Sequence, residues 1–90
     1  MSIKINLAQF FHQYTNGQEV VEVKGSTVGQ CVAHLVKQFP NIEQGLFSND
    51  GKLHGYIDIF VNGENSYPEG LAKPVKPSGE LYILFILDGG

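Results

Sequence analysis

Few residues in this 90-residue chain have the type and placement to do chemistry, and the last two, Gly89 and Gly90, are the most informative. Two final glycines arise by chance in about 0.5% of chains at the ~7% average glycine usage, which makes a merely flexible end the weaker reading. The chemistry such an end offers is that of its α-carboxylate. A free carboxylate is a poor electrophile and must gain a good leaving group before a nucleophile can attack it. The glycines serve access: lacking Cβ atoms, they can thread a narrow channel and take backbone angles closed to other residues, so an enzyme can grip them through main-chain groups.

The remaining candidates are weaker. Cys31 is the sole cysteine, which excludes an internal disulfide and a zinc site built on paired cysteines. It falls on the apolar stripe of a predicted helix, where a thiol serves as a small buried hydrophobe. His12, His34 and His54 are too dispersed to suggest a metal site, and they are expected to be solvated, His34 on a polar helix face. No nucleophile, base and orienting group form a convincing set, so the chain is expected to be a cosubstrate rather than an enzyme.

Composition narrows the partners. Apolar residues make up 42% and charged residues 17%, as in a globular protein, and the length suits one domain over residues 1–90. Nine acidic residues against six lysines, with no arginine, give a net charge of -3. That argues against nucleic acid, whose phosphates are held by clustered Arg and Lys. The start, Met1-Ser2-Ile3-Lys4-Ile5, alternates at once and lacks the regions of a signal peptide, so a cytosolic location is expected. The longest apolar run, Leu81 to Leu87, is far short of the roughly 20 residues of a membrane-spanning helix.

The elements that must position the end can be read by period. Ile3, Ile5 and Leu7 alternate with Lys4 and Asn6, the pattern of a strand with one buried face. After an aromatic stretch with Phe10, Phe11 and Tyr14, Asn16-Gly17 supplies residues that tolerate positive φ, and Val20, Val21 and Val23 complete a hairpin with irregular shoulders. Val28, Cys31, Val32, Leu35, Val36 and Phe39 then lie at i, i+3, i+4, i+7, i+8 and i+11, one stripe of an α-helix. Thr27 can cap its start while Gln30 reaches back in a capping box, and Pro40 stops it.

Asn41 to Gly55 is expected to be a loop with one turn around Ile42 to Phe47, and Asn49-Asp50-Gly51 is a strong turn signal. Tyr56 to Val61 forms a strand ending at the hairpin turn Asn62-Gly63, with a short return near Glu64 to Tyr67. Pro68 to Gly79, with Leu71 and Val75 at i and i+4, is a connection holding one helical turn. Leu81-Tyr82-Ile83-Leu84-Phe85-Ile86-Leu87 has no polar alternation and is therefore a central strand flanked by neighbours. One helix covering a mixed sheet of four to five strands, with the last strand beside the first, is an α+β chain of the β-grasp, ubiquitin-like kind.

At this point the chain resembles the sulfur-carrier branch of the ubiquitin-like superfamily, which includes the molybdopterin synthase small subunit and the thiamine sulfur carrier. The resemblance rests on the helix Thr27 to Phe39, the run Ile57-Asp58-Ile59-Phe60-Val61-Asn62-Gly63, the segment Ser78-Gly79-Glu80, and terminal Gly89-Gly90. Gly51-Lys52-Leu53-His54 before that strand is most similar to the carriers serving protein-dependent cysteine synthesis in actinobacteria.

The resemblance implies that an E1-like adenylating enzyme uses ATP to convert the Gly90 carboxylate, presented on Gly89-Gly90, to an acyl-adenylate. A sulfur donor would then turn it into a thiocarboxylate for a sulfur-accepting biosynthetic enzyme. The carrier itself would bind no cofactor and need no catalytic side chain. Partner recognition is expected on the sheet face away from the helix and at the start of the tail, with Tyr82, Leu84, Phe85, Ile86, Leu87 and Asp88 as the candidate interface. The family often has a proline near the start of the tail and small residues before the glycines, whereas here the run is Phe85-Ile86-Leu87-Asp88. Without proline the strand is expected to continue to Leu87, leaving a tail over 88–90 with a reach of roughly 10 to 11 Å.

Three functions share this outline. A biosynthetic sulfur carrier would transfer sulfur from Gly90, toward cysteine, thiamine, molybdopterin or another thiolated product. A protein modifier would join the same activated end to lysines of other proteins. A noncovalent interaction module would bind through its final strand and sheet without using the tail.

Overall fold

The alternation at the N-terminus forms β1 (Ile3–Leu7), whose Ile3, Ile5 and Leu7 are buried while Lys4 stays exposed. The structure, a computed structural model, describes residues 2–85. The expected continuation of the last strand through Ile86 and Leu87, and the expected tail over 88–90, lie outside the described residues.

β1 pairs antiparallel with β2 (Val20–Val23), Ile3 opposite Val23 and Asn6 opposite Val20. The link between them is larger than a hairpin turn, because a 3-10 helix over Gln9–Tyr14 fills it. Phe11 at 0% exposure anchors that segment in the core, and the His12 ring donates from Nε2 to the Leu7 carbonyl at 3.0 Å. Asn16 and Gly17, with φ of 54° and 84°, then turn the chain back toward β2.

The helical stripe forms α1 (Val28–Gln38), with Val28, Cys31, Val32 and Leu35 buried and Val36 and Phe39 partly so. Thr27 Oγ1 accepts the Gln30 N–H at 3.1 Å, as a capping residue should. The reciprocal bond is displaced by one residue from the expected capping box: Gln30 Oε1 accepts the N–H of Ser26 at 2.8 Å. Beyond Pro40 the chain makes a 3-10 turn over Pro40–Ile42 and one short helical turn, α2 (Glu43–Leu46), which buries Ile42 and Leu46.

β3 (Ile57–Val61) turns at Asn62-Gly63, with φ of 50° and 88°, into the two-residue β4 (Glu64–Asn65). Both central residues of such a turn need positive φ, the reason Asn-Gly occupies it. A 3-10 turn over Gly70–Ala72 supplies the helical turn expected in the next connection.

The last strand, β5 (Glu80–Phe85), runs parallel to β1 and antiparallel to β3, giving the order β2-β1-β5-β3-β4. Its start is held by side chains. Asn62 Oδ1 accepts the Glu80 N–H at 2.9 Å and its own N–H donates to the Glu80 carbonyl at 2.9 Å. Asn6 Nδ2 donates to the Leu81 carbonyl at 3.2 Å. Gly79 packs closely there, since a Cβ on it would lie 3.0 Å from the Lys76 carbonyl oxygen, tighter than an ordinary contact. These contacts give the Asn62-Gly63 and Ser78-Gly79-Glu80 motifs a joint purpose: they set the register of the strand that leads to the C-terminus.

α1 covers one face of this sheet. Leu81 and Ile83 of β5, at 0% exposure, pack there with Ile3 and Ile5 and with Leu35 of the helix. Each such side chain contributes roughly 1.5–3 kcal/mol when fully buried. Among the described residues no helix is long and apolar enough to cross a membrane.

Candidate functional site

β5 divides its residues between two faces. Tyr82 and Leu84 point to the side away from α1 and remain 41% and 38% exposed. Their neighbours there follow from register: Asn6 and half-buried Phe60 flank Tyr82, and Asp58 lies opposite Leu84. The strand is thus central but not buried on both faces, and the open face keeps an apolar strip that leads toward the C-terminus.

Phe85 belongs to the other face, in step with Leu81 and Ile83, and is half-buried. Of the six expected interface residues it is therefore set apart from Tyr82 and Leu84. Ile86, Leu87 and Asp88, like Gly89 and Gly90, lie outside the described residues.

Around Phe85 stands a cluster of rings that sequence reasoning did not assign to the site. The Phe10 ring lies 4.5 Å from that of Phe85, and the Tyr56 ring lies 4.7 Å from it. His54 stacks on Tyr56 at 4.7 Å with an interplanar angle of 13°. Fully buried Phe11 closes the cluster toward the core, edge-on to Phe10 at 5.2 Å. Phe10 and Tyr56 are 41% and 38% exposed, so the outer part of the cluster reaches the surface. The available signal was the density of aromatics at Phe10, Phe11 and Tyr14 and at Tyr56 and Phe85. Nothing local shows that the 3-10 helix brings the first set to the end of β5.

The histidines are placed more firmly than expected. His34 Nδ1 accepts the Lys24 N–H at 2.8 Å, and the His54 ring donates from Nε2 to the Gln44 carbonyl at 3.2 Å. With His12 also bonded to backbone, each of the three is half-buried and engaged instead of merely solvated. The physical reason is position: the fold brings each ring to a backbone group, the Leu7 carbonyl for His12, the Lys24 N–H for His34 and the Gln44 carbonyl for His54. Cys31 is fully buried, and burial pushes its thiol above the usual range. Among the described residues no three His, Cys, Asp or Glu side chains form a group that could hold a metal ion.

On the far side of α1 an open groove of about 680 Å³ lies between the helix and residues 43–51. Gly29, Val32, Ala33, Val36 and Phe47 line it, and Glu43 is its one ionisable group among those lining residues. Ser48 also lines it, and its hydroxyl donates to the Asp50 carboxylate, which accepts the Lys52 N–H as well, so this pair closes the 48–52 turn.

A mixed five-stranded sheet under one main helix, with β1 and β5 parallel at its centre, defines a ubiquitin-like β-grasp protein. No family model matches the sequence. A putative sulfur carrier protein of Archaeoglobus fulgidus is 33% identical over the full length of both chains. The sulfur carrier protein CysO of Mycobacterium tuberculosis is 29% identical, again over the whole of both chains. In three dimensions a chain from the crystal structure of the Amycolatopsis orientalis BexX/CysO complex superimposes with a TM-score of 0.87 at 29% identity, covering 98% of this chain and 99% of that one. The chain belongs to the family of ubiquitin-fold sulfur carrier proteins.

Proposed function

We propose that the sulfur is carried on Gly90. A carboxylate oxygen of Gly90 attacks the α-phosphorus of ATP in an E1-like adenylating enzyme, and pyrophosphate leaves. Sulfide (HS⁻), released by a sulfur donor, then attacks the acyl carbon and AMP leaves with the carboxylate oxygen it had captured, so that one carboxylate oxygen is replaced by sulfur. The thiocarboxylate, anionic near neutral pH, is the nucleophile passed to a sulfur-accepting biosynthetic enzyme. ATP belongs to the partner, and this chain contributes no catalytic side chain. Gly89 and Gly90 provide the slender, main-chain-only end that the enzyme's channel can grip.

The observation that carries this reading is the end-to-end match to sulfur carrier relatives, in a chain whose central strand leads into Gly89-Gly90. The open-face strip of Tyr82 and Leu84 offers partner enzymes an apolar landing site beside the tail, with Ile86, Leu87 and Asp88 continuing the interface. The existence of a relative's chain in a BexX/CysO complex is in keeping with work done through partners.

The test is the intact mass of the protein purified from its host without reductive or nucleophilic treatment. Replacement of one oxygen by sulfur, absent after deletion of Gly90, is the expected result. An unchanged mass that persists after incubation with the host's E1-like enzyme, ATP and a sulfur donor overturns the proposal.

A further inference from the structure

We infer that the ring cluster Phe10, Phe85 and Tyr56 is a docking collar for the enzyme that activates the tail, an apolar contact separate from the open-face strip. The inference rests on the reading that Gly90 is the reacting end. Five residues follow Phe85, and five residues span at most roughly 16 to 18 Å. The folded body measures 35 × 30 × 23 Å, larger in every direction than that tether. An enzyme that takes the Gly90 carboxylate into its interior must therefore bring its channel mouth within that reach of Phe85.

What meets the mouth on the helix side is aromatic. Phe10 stands at 4.5 Å and Tyr56 at 4.7 Å from the Phe85 ring, and each of the two keeps about two-fifths of its surface exposed. Large apolar rings left at a surface mark interaction sites when they are contiguous. They are also preorganised. Phe11 backs Phe10 from the core, and His54 stacks on Tyr56 while its Nε2 is bonded to the Gln44 carbonyl, so little side-chain freedom remains to be lost on binding. The three rings carry no charge. The complementary surface is thus an apolar lip around the enzyme's channel, engaged by burial and ring packing instead of ion pairs.

The experiment is steady-state adenylation of the full chain by the host's activating enzyme, with pyrophosphate release as readout. Wild type, Phe10→Ser, Tyr56→Ser and the double variant are compared, with far-UV circular dichroism confirming folding at the assay temperature. The collar predicts a KM for the carrier raised about tenfold or more in the double variant, kcat within about twofold, and the same ratio at high salt. Chain lacking Gly90, whose Gly89 carboxylate falls one residue short of the reacting position, should inhibit wild-type activation competitively, and Phe10→Ser in that background should raise its inhibition constant.

An unchanged KM in folded variants overturns the collar. So does failure of the Gly90-deleted chain to inhibit, a readout that needs no ring variant at all. In both cases activation of wild type leaves the function of Gly90 standing. Absence of wild-type activation, by contrast, removes that function and the collar with it.

Discussion

Cys31 holds the one thiol of a protein whose family handles sulfur, yet its position keeps it out of that chemistry. It is fully buried between α1 and the sheet, and burial pushes its pKa up, so the reactive thiolate is scarce at neutral pH. Iodoacetamide should leave the native protein unmodified at pH 8 and label Cys31 stoichiometrically in guanidinium, as intact mass will report. Rapid labelling of the folded chain would contradict the burial. This placement was legible in the helical stripe. The surroundings of the histidines were not, because His34 meets the Lys24 N–H and His54 meets the Gln44 carbonyl, each ten residues away in sequence.

At the scale of elements, α1 depends on its first turn. Thr27 satisfies the Gln30 N–H, and the Gln30 side chain in turn holds Ser26, tying the helix to the end of the β2 connection. Thr27→Ala should cost about 1 kcal/mol by loss of the cap. A domain of this size should then melt roughly 4–8 °C lower, measured by circular dichroism. A melting point within error of wild type would show that Ser26 and Gln30 suffice. Thr27 and Gln30 were recognisable from spacing alone. The transfer of the reciprocal bond to Ser26 was not, since it depends on the backbone path between β2 and the helix.

At the scale of the molecule, β5 joins both halves of the sheet and lies between the covered and open faces. Leu81 is at 0% exposure under the helix, whereas Leu84, three residues on, is 38% exposed. Leu81→Ala should therefore lose about 3 kcal/mol, a large part of the 5–15 kcal/mol typical of a domain. Leu84→Ala should lose less than about 1 kcal/mol. Urea titration distinguishes them by midpoint at constant slope. Equal losses would mean that the open face is covered in the folded protein. The contrast matters for function: the residues facing Leu84's side are free to meet a partner because the stability of β5 is carried by its other face.

Local periodicity was enough to determine the strands, the helix with its buried stripe, the Asn62-Gly63 turn and the central place of the last strand. Each of these is written within a few consecutive residues, where alternation of two or 3.6 separates faces directly. Only the tertiary structure decided what surrounds the root of the tail. Phe85 lies on the covered face because of the register of β5 against β1 and β3, and it meets Phe10 because a 3-10 helix anchored by Phe11 folds across the end of the sheet. Phe10 and Phe85 are 75 residues apart along the chain, and no local pattern encodes their contact.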